Sequence, residues 1–294
     1  MIKKRKSEIA FDISNIIFMI ILMIITIYPF IYVTAASFSE SKNLVGQRGI
    51  MILPKGFTIS SYKMVFKNPN ILTGYRNTLI VLVGGTFVNI IMTSFGAYVL
   101  SRKQFAIKKA MMIMIVFTMY FSGGLIPTYL LVYNTLKLGN NLLALILPSA
   151  ISTWNLIVMR TYFLSVPDSL EESARIDGAN DFVILFRIIL PVSLPVVAVM
   201  ILFYGVGHWN SWFSAMIYLR DRELYPIQLI LREILILSST DSMMIEATDG
   251  TDREAIGESI KYATILVATV PVLFIYPFLQ KYFVKGVMIG ALKG

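Results

Sequence analysis

The chain predicts an all-α, polytopic membrane protein with about six spans, and three observations carry that reading. Hydrophobic residues make up 56% of the 294 and charged residues only 15%, far from the balance of a soluble domain. Apolar runs recur at a length that crosses a bilayer, since a core of about 30 Å needs about 20 helical residues. Lysine and arginine gather in alternate connections between those runs, as insertion requires.

The runs follow in order. The first, 13–38, comes after Lys3, Lys4, Arg5 and Lys6; it is too long for a signal peptide and no small-residue cleavage site follows it, so it stays as a span. The second, 77–100, leads into the basic connection SRKQFAIKK. The third, 110–133, contains Gly123, Gly124 and Pro127, which mark either close helix packing or a broken helix. The fourth is 142–162. The fifth, 182–218, is over-long, so tilt, a kink at Pro191 and Pro195, or an interfacial end must absorb the excess. The sixth, 260–279, precedes the basic tail 281–294. Within the 219–259 segment, ELYPIQLILREILILSS is apolar but broken by Arg232 and Glu233, too short for a span, and reads as an interfacial helix.

With six spans, the N-terminus, the 101–109 connection and the tail share one side. Both termini are therefore expected in the cytoplasm, and 219–259 is expected outside. The net charge of +9 is mostly this bias, and it is assigned to topology and contact with anionic lipid rather than to nucleic-acid binding. With no cysteine and one histidine, thiolate metal sites, cysteine nucleophiles and histidine metal clusters are excluded. No metalloprotease, serine-hydrolase or Walker motif is present, so no catalytic residue and no metal ligand is assigned. No internal repeat or linker divides 1–294, which reads as one membrane domain.

No Asp or Glu sits in the middle of a span, and Arg76, Arg160 and Arg187 lie near span ends where they can snorkel. Ion-coupled transporters need ionisable groups at depth. Energy must then come from elsewhere, or the protein is passive.

The most polar of the inter-span segments, EESARIDGAND, answers that point. Pro167 and Asp168 open a short helix, Asp168 and Glu171 have capping-box spacing, and Glu171 with Arg175 is a favourable i,i+4 pair. Leu170 and Ala174 share a face, and Gly178 supplies the left-handed residue that ends the helix.

Glu172-Ser173-Ala174, three residues, Gly178, nine residues, Ile188, one residue, then Leu190-Pro191 resembles the E-A-A, x3, G, x9, I-x-L-P signature of permease subunits of binding-protein-dependent ABC importers. Ser173 replaces the usual alanine. IDGA, PTYLLVYNTLKLGNNLLALILPSA, GHWNSWF and the ending YPFLQKYFVKGVMIGALKG are similar to the shorter, maltose-permease-G-like type of the carbohydrate group, covering almost the whole chain. SGGLIP and HWNSWF resemble a Gram-positive oligosaccharide subgroup.

The resemblance implies a type I importer permease fold in a bacterial cell membrane, paired with a second homologous permease. Two cytoplasmic ATPase subunits would bind ATP and magnesium, so this chain carries no cofactor and is not an enzyme. An extracellular binding protein or lipoprotein would deliver oligosaccharide for alternating access. Segment 168–181 would be the coupling helix, with Glu171, Glu172, Ser173, Ala174, Asp177, Gly178 and Ala179 facing the ATPase. Lys285, Gly290, Lys293 and Gly294 would reach the ATPase from the tail.

Trp209 and Trp212, beside His208 and Asn210, form either an aromatic belt at the headgroups or, with Trp154, Asn155 and Tyr204, the wall of a sugar pathway. His208 is expected to hydrogen-bond within the bundle. A different cargo, such as a peptide or anion, and a non-transporting signalling or scaffold protein are the alternatives.

Overall fold

A computed structural model describes residues 6–44, 49–236 and 256–274. Those residues are helical apart from turns and one isolated bridge between Ser39 and Phe57. The elements are α1 Lys6–Ser37, α2 Ser60–Lys67, α3 Pro69–Ser101, α4 Lys108–Tyr120, α5 Leu125–Thr135, α6 Leu143–Ser149 and α7 Thr153–Phe163, then α8 Asp168–Ile176, α9 Asp181–Val192, α10 Leu194–Trp209, α11 Phe213–Tyr218, α12 Ile227–Ile236 and α13 Ile256–Phe274.

Three helices, α1, α3 and α13, are each long and apolar enough to cross a membrane unbroken. The other three predicted spans are bent pairs, so the count reaches six only if each pair is one span. The third run breaks between α4 and α5 with a bend of 112°. Gly124 there has φ +84° and open space where a Cβ would stand, so a broken helix and not close packing explains it. The fourth run bends by 51° between α6 and α7, where Ser152 is the N-cap of α7. The fifth run bends by 87° at Ser193, between Pro191 near the start of the last turn of α9 and Pro195 at the start of α10. It also stops at Trp209, so the over-long stretch is three helices and not one tilted one. A proline lacks the N–H that a helix interior needs, which places both prolines where the ladder is already broken.

The chain divides into two compact units, Met1–Pro69 with Glu233–Val270 and Asn70–Arg232 with Pro271–Gly294. In the first, α1 presents Ile16, Phe18, Leu22 and Ile25 outward, the stable arrangement for a helix in lipid. Its far end is tied by a hydroxyl cluster in which Ser41 and Ser61 both meet the Ser259 hydroxyl at 2.9 Å, and by Phe38 stacked on Phe57.

The second unit has a core of Ala97, Tyr98 and Leu100 from α3, Leu156, Met159 and Phe163 from α7, Ile184, Leu185 and Ile189 from α9, and Met200 and Tyr204 from α10. Buried polar side chains of α3 staple the surrounding loops. Asn77 donates to the carbonyls of Glu223 and Tyr225, and Thr78 accepts from the Ile227 N–H. The start of α12 is therefore fixed in protein, with Ile227, Leu229 and Ile230 buried, and does not expose its apolar face as an interfacial helix would. The basic tail and its Lys285, Gly290, Lys293 and Gly294 lie outside the described residues, as does all of 237–255.

Candidate functional site: a pinned polar helix and a hydroxyl-lined cavity

α8 carries most of the polar chemistry foreseen in the sequence. Its end is a complete glycine cap: Gly178 sits at φ +81°, its N–H donates to the Arg175 carbonyl at 3.1 Å, and the Ala179 N–H donates to the Ala174 carbonyl at 2.9 Å. Its start differs from expectation. The capping box does not form, because Asp168 and Glu171 are drawn to cations of the 101–109 connection instead.

Spacing then divides the helix into two faces. Glu171 and Ala174 form the inner face, Arg175 lies at its edge, and Gly178 is exposed at the helix end. The Glu171 carboxylate, 13% exposed, is held by Arg102 on one oxygen and by Arg175 on the other at 2.9 Å. Arg175 reaches on to Asp181 at 2.5 Å, and the Tyr98 hydroxyl donates to the same Asp181 oxygen at 3.2 Å. Arg102 also lies over the Tyr98 ring, 4.9 Å from its centroid. Ala174 is buried in the core, whereas Leu170, predicted on its face, is 39% exposed. The outer face is Ser169, Glu172, Ser173 and Ile176, all exposed, with Ile176 87% exposed. Ser173 turns its hydroxyl onto the Ser169 carbonyl at 2.8 Å, so its replacement of alanine leaves the outer surface small. Asp177 is also exposed; Ala179 is half-buried against the core.

At the helix start, Lys103 contacts Asp168 at 2.5 Å. The hydrogen bond from Lys103 holds the Asp168 carboxyl below its ordinary 3.8, and Asp168 raises the lysine above its own ordinary value. The pair is exposed and contributes little energy. The half-buried Arg102 to Glu171 pair is the mechanical link, because it joins the end of α3 to α8. Sequence reading found Glu171 and Arg175 but missed Tyr98, Arg102 and Asp181, whose only visible signal was charge or aromaticity near span ends.

A second feature lies in the body of the same unit. A cavity of about 510 Å³ is bounded by residues of α5, α6, α7, α10 and α11, among them Asn155, Tyr204 and His208. The Tyr204 hydroxyl accepts the Ser152 N–H at 3.0 Å and meets Thr93 at 2.6 Å, so it braces the α6–α7 break against α3. His208, expected to bond within the bundle, does so: Nε2 meets Asn89 Oδ1 at 2.6 Å. Gly85 makes room for it, since a Cβ there would stand 2.5 Å from Nε2.

The other aromatic candidates are not on this wall. Trp209 is buried, tilted against Tyr75 and facing an apolar groove lined by Leu82, Thr86 and Gly205. Trp154 is 60% exposed, Asn210 turns its amide back onto the Val206 carbonyl, and Trp212 holds Arg232 over its ring. Helix periodicity explains the split: one stripe of α10 and the residues after it, 203, 204, 207, 208 and 211, faces the cavity, and 209 and 210 fall outside it.

Comparisons with known proteins identify the family. The family model for "Binding-protein-dependent transport system inner membrane component" matches residues 95–289. The chain is 43% identical over 285 residues to the polygalacturonan/rhamnogalacturonan transport system permease protein YtcP of Bacillus subtilis (strain 168), covering 97% of this chain and 98% of that one. It is 42% identical over 292 residues to protein LplC of the same organism, covering 98% and 97%. Among solved structures it resembles a chain of a bacterial ABC transporter involved in import of the acidic polysaccharide alginate. The TM-score there is 0.86 at 31% identity, over 96% of this chain and 100% of that chain. The chain belongs to the family of binding-protein-dependent transport system inner membrane components, the non-catalytic, membrane-embedded permease subunits of ABC importers.

Proposed function

We propose that this permease imports an oligosaccharide released from an acidic polysaccharide, with α8 as the element through which ATP hydrolysis is felt. The observation that carries the reading is the two-faced helix. One face is locked to the ends of α3 and α9 through Arg102, Glu171, Arg175 and Asp181, and the other offers Glu172, Ser173 and Ile176 to a partner. A helix so anchored moves as a rigid body, so a push on its outer face is delivered to the core helices.

In this reading the segment 168–181 docks on a cytoplasmic ATPase subunit, which binds ATP and magnesium; a second, unlike permease completes the pathway; and an extracellular binding protein delivers the sugar. Both termini lie in the cytoplasm, the 281–294 tail approaches the ATPase, and 219–259 faces outward. The relatives' cargo, polygalacturonan, rhamnogalacturonan and alginate, supports the sugar class. The test is uptake and sugar-stimulated ATP hydrolysis by the reconstituted transporter in liposomes. The panel holds pectic, alginate and neutral oligosaccharides with the cognate binding protein. Stimulated hydrolysis with uptake of one panel member is the expected result. Hydrolysis that no sugar stimulates, with no sugar moved, would overturn the proposal.

A further inference from the structure

The cavity of about 510 Å³ falls within the range of small-molecule sites, and its polar groups divide into spent and unspent. Tyr204 is committed to Ser152 and Thr93, and the Ser149 hydroxyl is turned onto the carbonyls of Leu145 and Ile146. The side chains of Asn155, Ser211 and Ser214 make no hydrogen bond to another described residue. They offer an amide and two hydroxyls.

His208 is the informative member. Asn89 donates from Nδ2 to the Ser149 carbonyl at 2.6 Å, which fixes its amide and turns Oδ1, an acceptor only, toward the imidazole. Nε2 of His208 must therefore carry the proton, and in the neutral ring Nδ1 is left with a lone pair. Nε2 is sealed against Asn89 and Gly85 of α3, so Nδ1 is the ring heteroatom left for the cavity. None of the described residues lining the cavity is Asp, Glu, Lys or Arg.

We infer that this cavity binds a sugar unit through its hydroxyls alone, with Nδ1 of His208 accepting one hydroxyl proton, and that any carboxylate of the cargo is read by other chains of the transporter. The inference rests on the sugar-import reading above. A sugar hydroxyl both donates and accepts, and the unspent amide, hydroxyls and imidazole meet both needs. A uronate carboxylate in the same space would surrender its hydration with no cation to replace it. A site built to bond hydroxyls loses much when that partner is removed, so the imidazole is a specificity-determining group here.

The experiment uses the complete reconstituted transporter with an oligogalacturonide and its uncharged methyl ester, and the variants His208→Gln and His208→Asn. Glutamine keeps an N–H where Nε2 bonds Asn89 and deletes the acceptor at Nδ1; asparagine keeps an acceptor near Nδ1 and loses the Asn89 contact. Both variants are first checked for co-purification with the ATPase subunits. His208→Gln should lower kcat/KM for uptake about tenfold, the loss of one hydrogen bond to a desolvated partner. The factor should be the same for acid and ester, and His208→Asn should remain within about threefold of wild type.

An unequal loss between acid and ester would show that charge is read in this cavity and overturn the inference. Equal damage from both variants would reduce His208 to a packing residue. Wild-type uptake by the assembled His208→Gln transporter would remove the acceptor role. Failure of the wild type to take up any sugar of the panel would instead overturn the import reading, before any variant is compared.

Discussion

Gly178 separates the folding of α8 from its docking, and a pair of substitutions there tests the coupling role. Its φ of +81° lies in the left-handed region, and no atom stands within 4 Å of where a Cβ would be placed. A side chain there meets no clash within this chain, so the intrinsic penalty is backbone strain alone, about 1 kcal/mol for alanine and less for aspartate, which tolerates this region better. The glycine cap bonds to Arg175 and Ala174 survive in either variant. If the helix end enters a cleft of the ATPase, aspartate adds an unpaired buried carboxylate costing about 2–5 kcal/mol, or roughly 30-fold or more in docking. Gly178→Ala should then retain most sugar-stimulated ATP hydrolysis, while Gly178→Asp should abolish it and release the ATPase on gel filtration, with the permease itself still folded in detergent. Equal behaviour of the two variants, or full stimulation from Gly178→Asp, would refute the docking role of this helix end.

Other outcomes follow from the same geometry. Glu171→Gln leaves Arg102 and Arg175 without their shared carboxylate and should cost about 1.5–3 kcal/mol of local stability, seen as loss of uptake at a retained basal rate of ATP hydrolysis. Gly74→Ala would place a Cβ 3.2 Å from the Ile227 backbone, which cannot swing aside, and should lower the thermal unfolding midpoint through about 1–3 kcal/mol of overpacking. The Lys103 pair depresses Asp168 below 3.8, so its contribution is present above that value and is lost as pH falls through the lower folded one; wild type and Asp168→Asn should differ slightly at neutral pH and converge in acid when unfolding is followed against pH.

Composition, run length and charge asymmetry determined the helical membrane class because the bilayer admits so few solutions: every backbone group must be paired within the segment. The helix α8, its glycine stop and the Glu171–Arg175 pair were legible because they depend on residues at most seven apart, as was the break at Pro191 and Pro195. Tertiary structure decided the rest. Residues 142–162 look continuous in hydropathy, yet they break by 51°, because hydropathy reports where a segment is stable and not where its backbone turns. The capping box lost to Lys103 and Arg102, cations more than sixty positions away along the chain. The division of His208 from Trp209 depends on one residue of helical register after a bend of 87°, and the tautomer of His208 depends on an amide 119 positions distant. Local spacing fixes which groups can face together; only the packed helices bring their partners from afar and so decide which hydrogen bonds remain for a ligand.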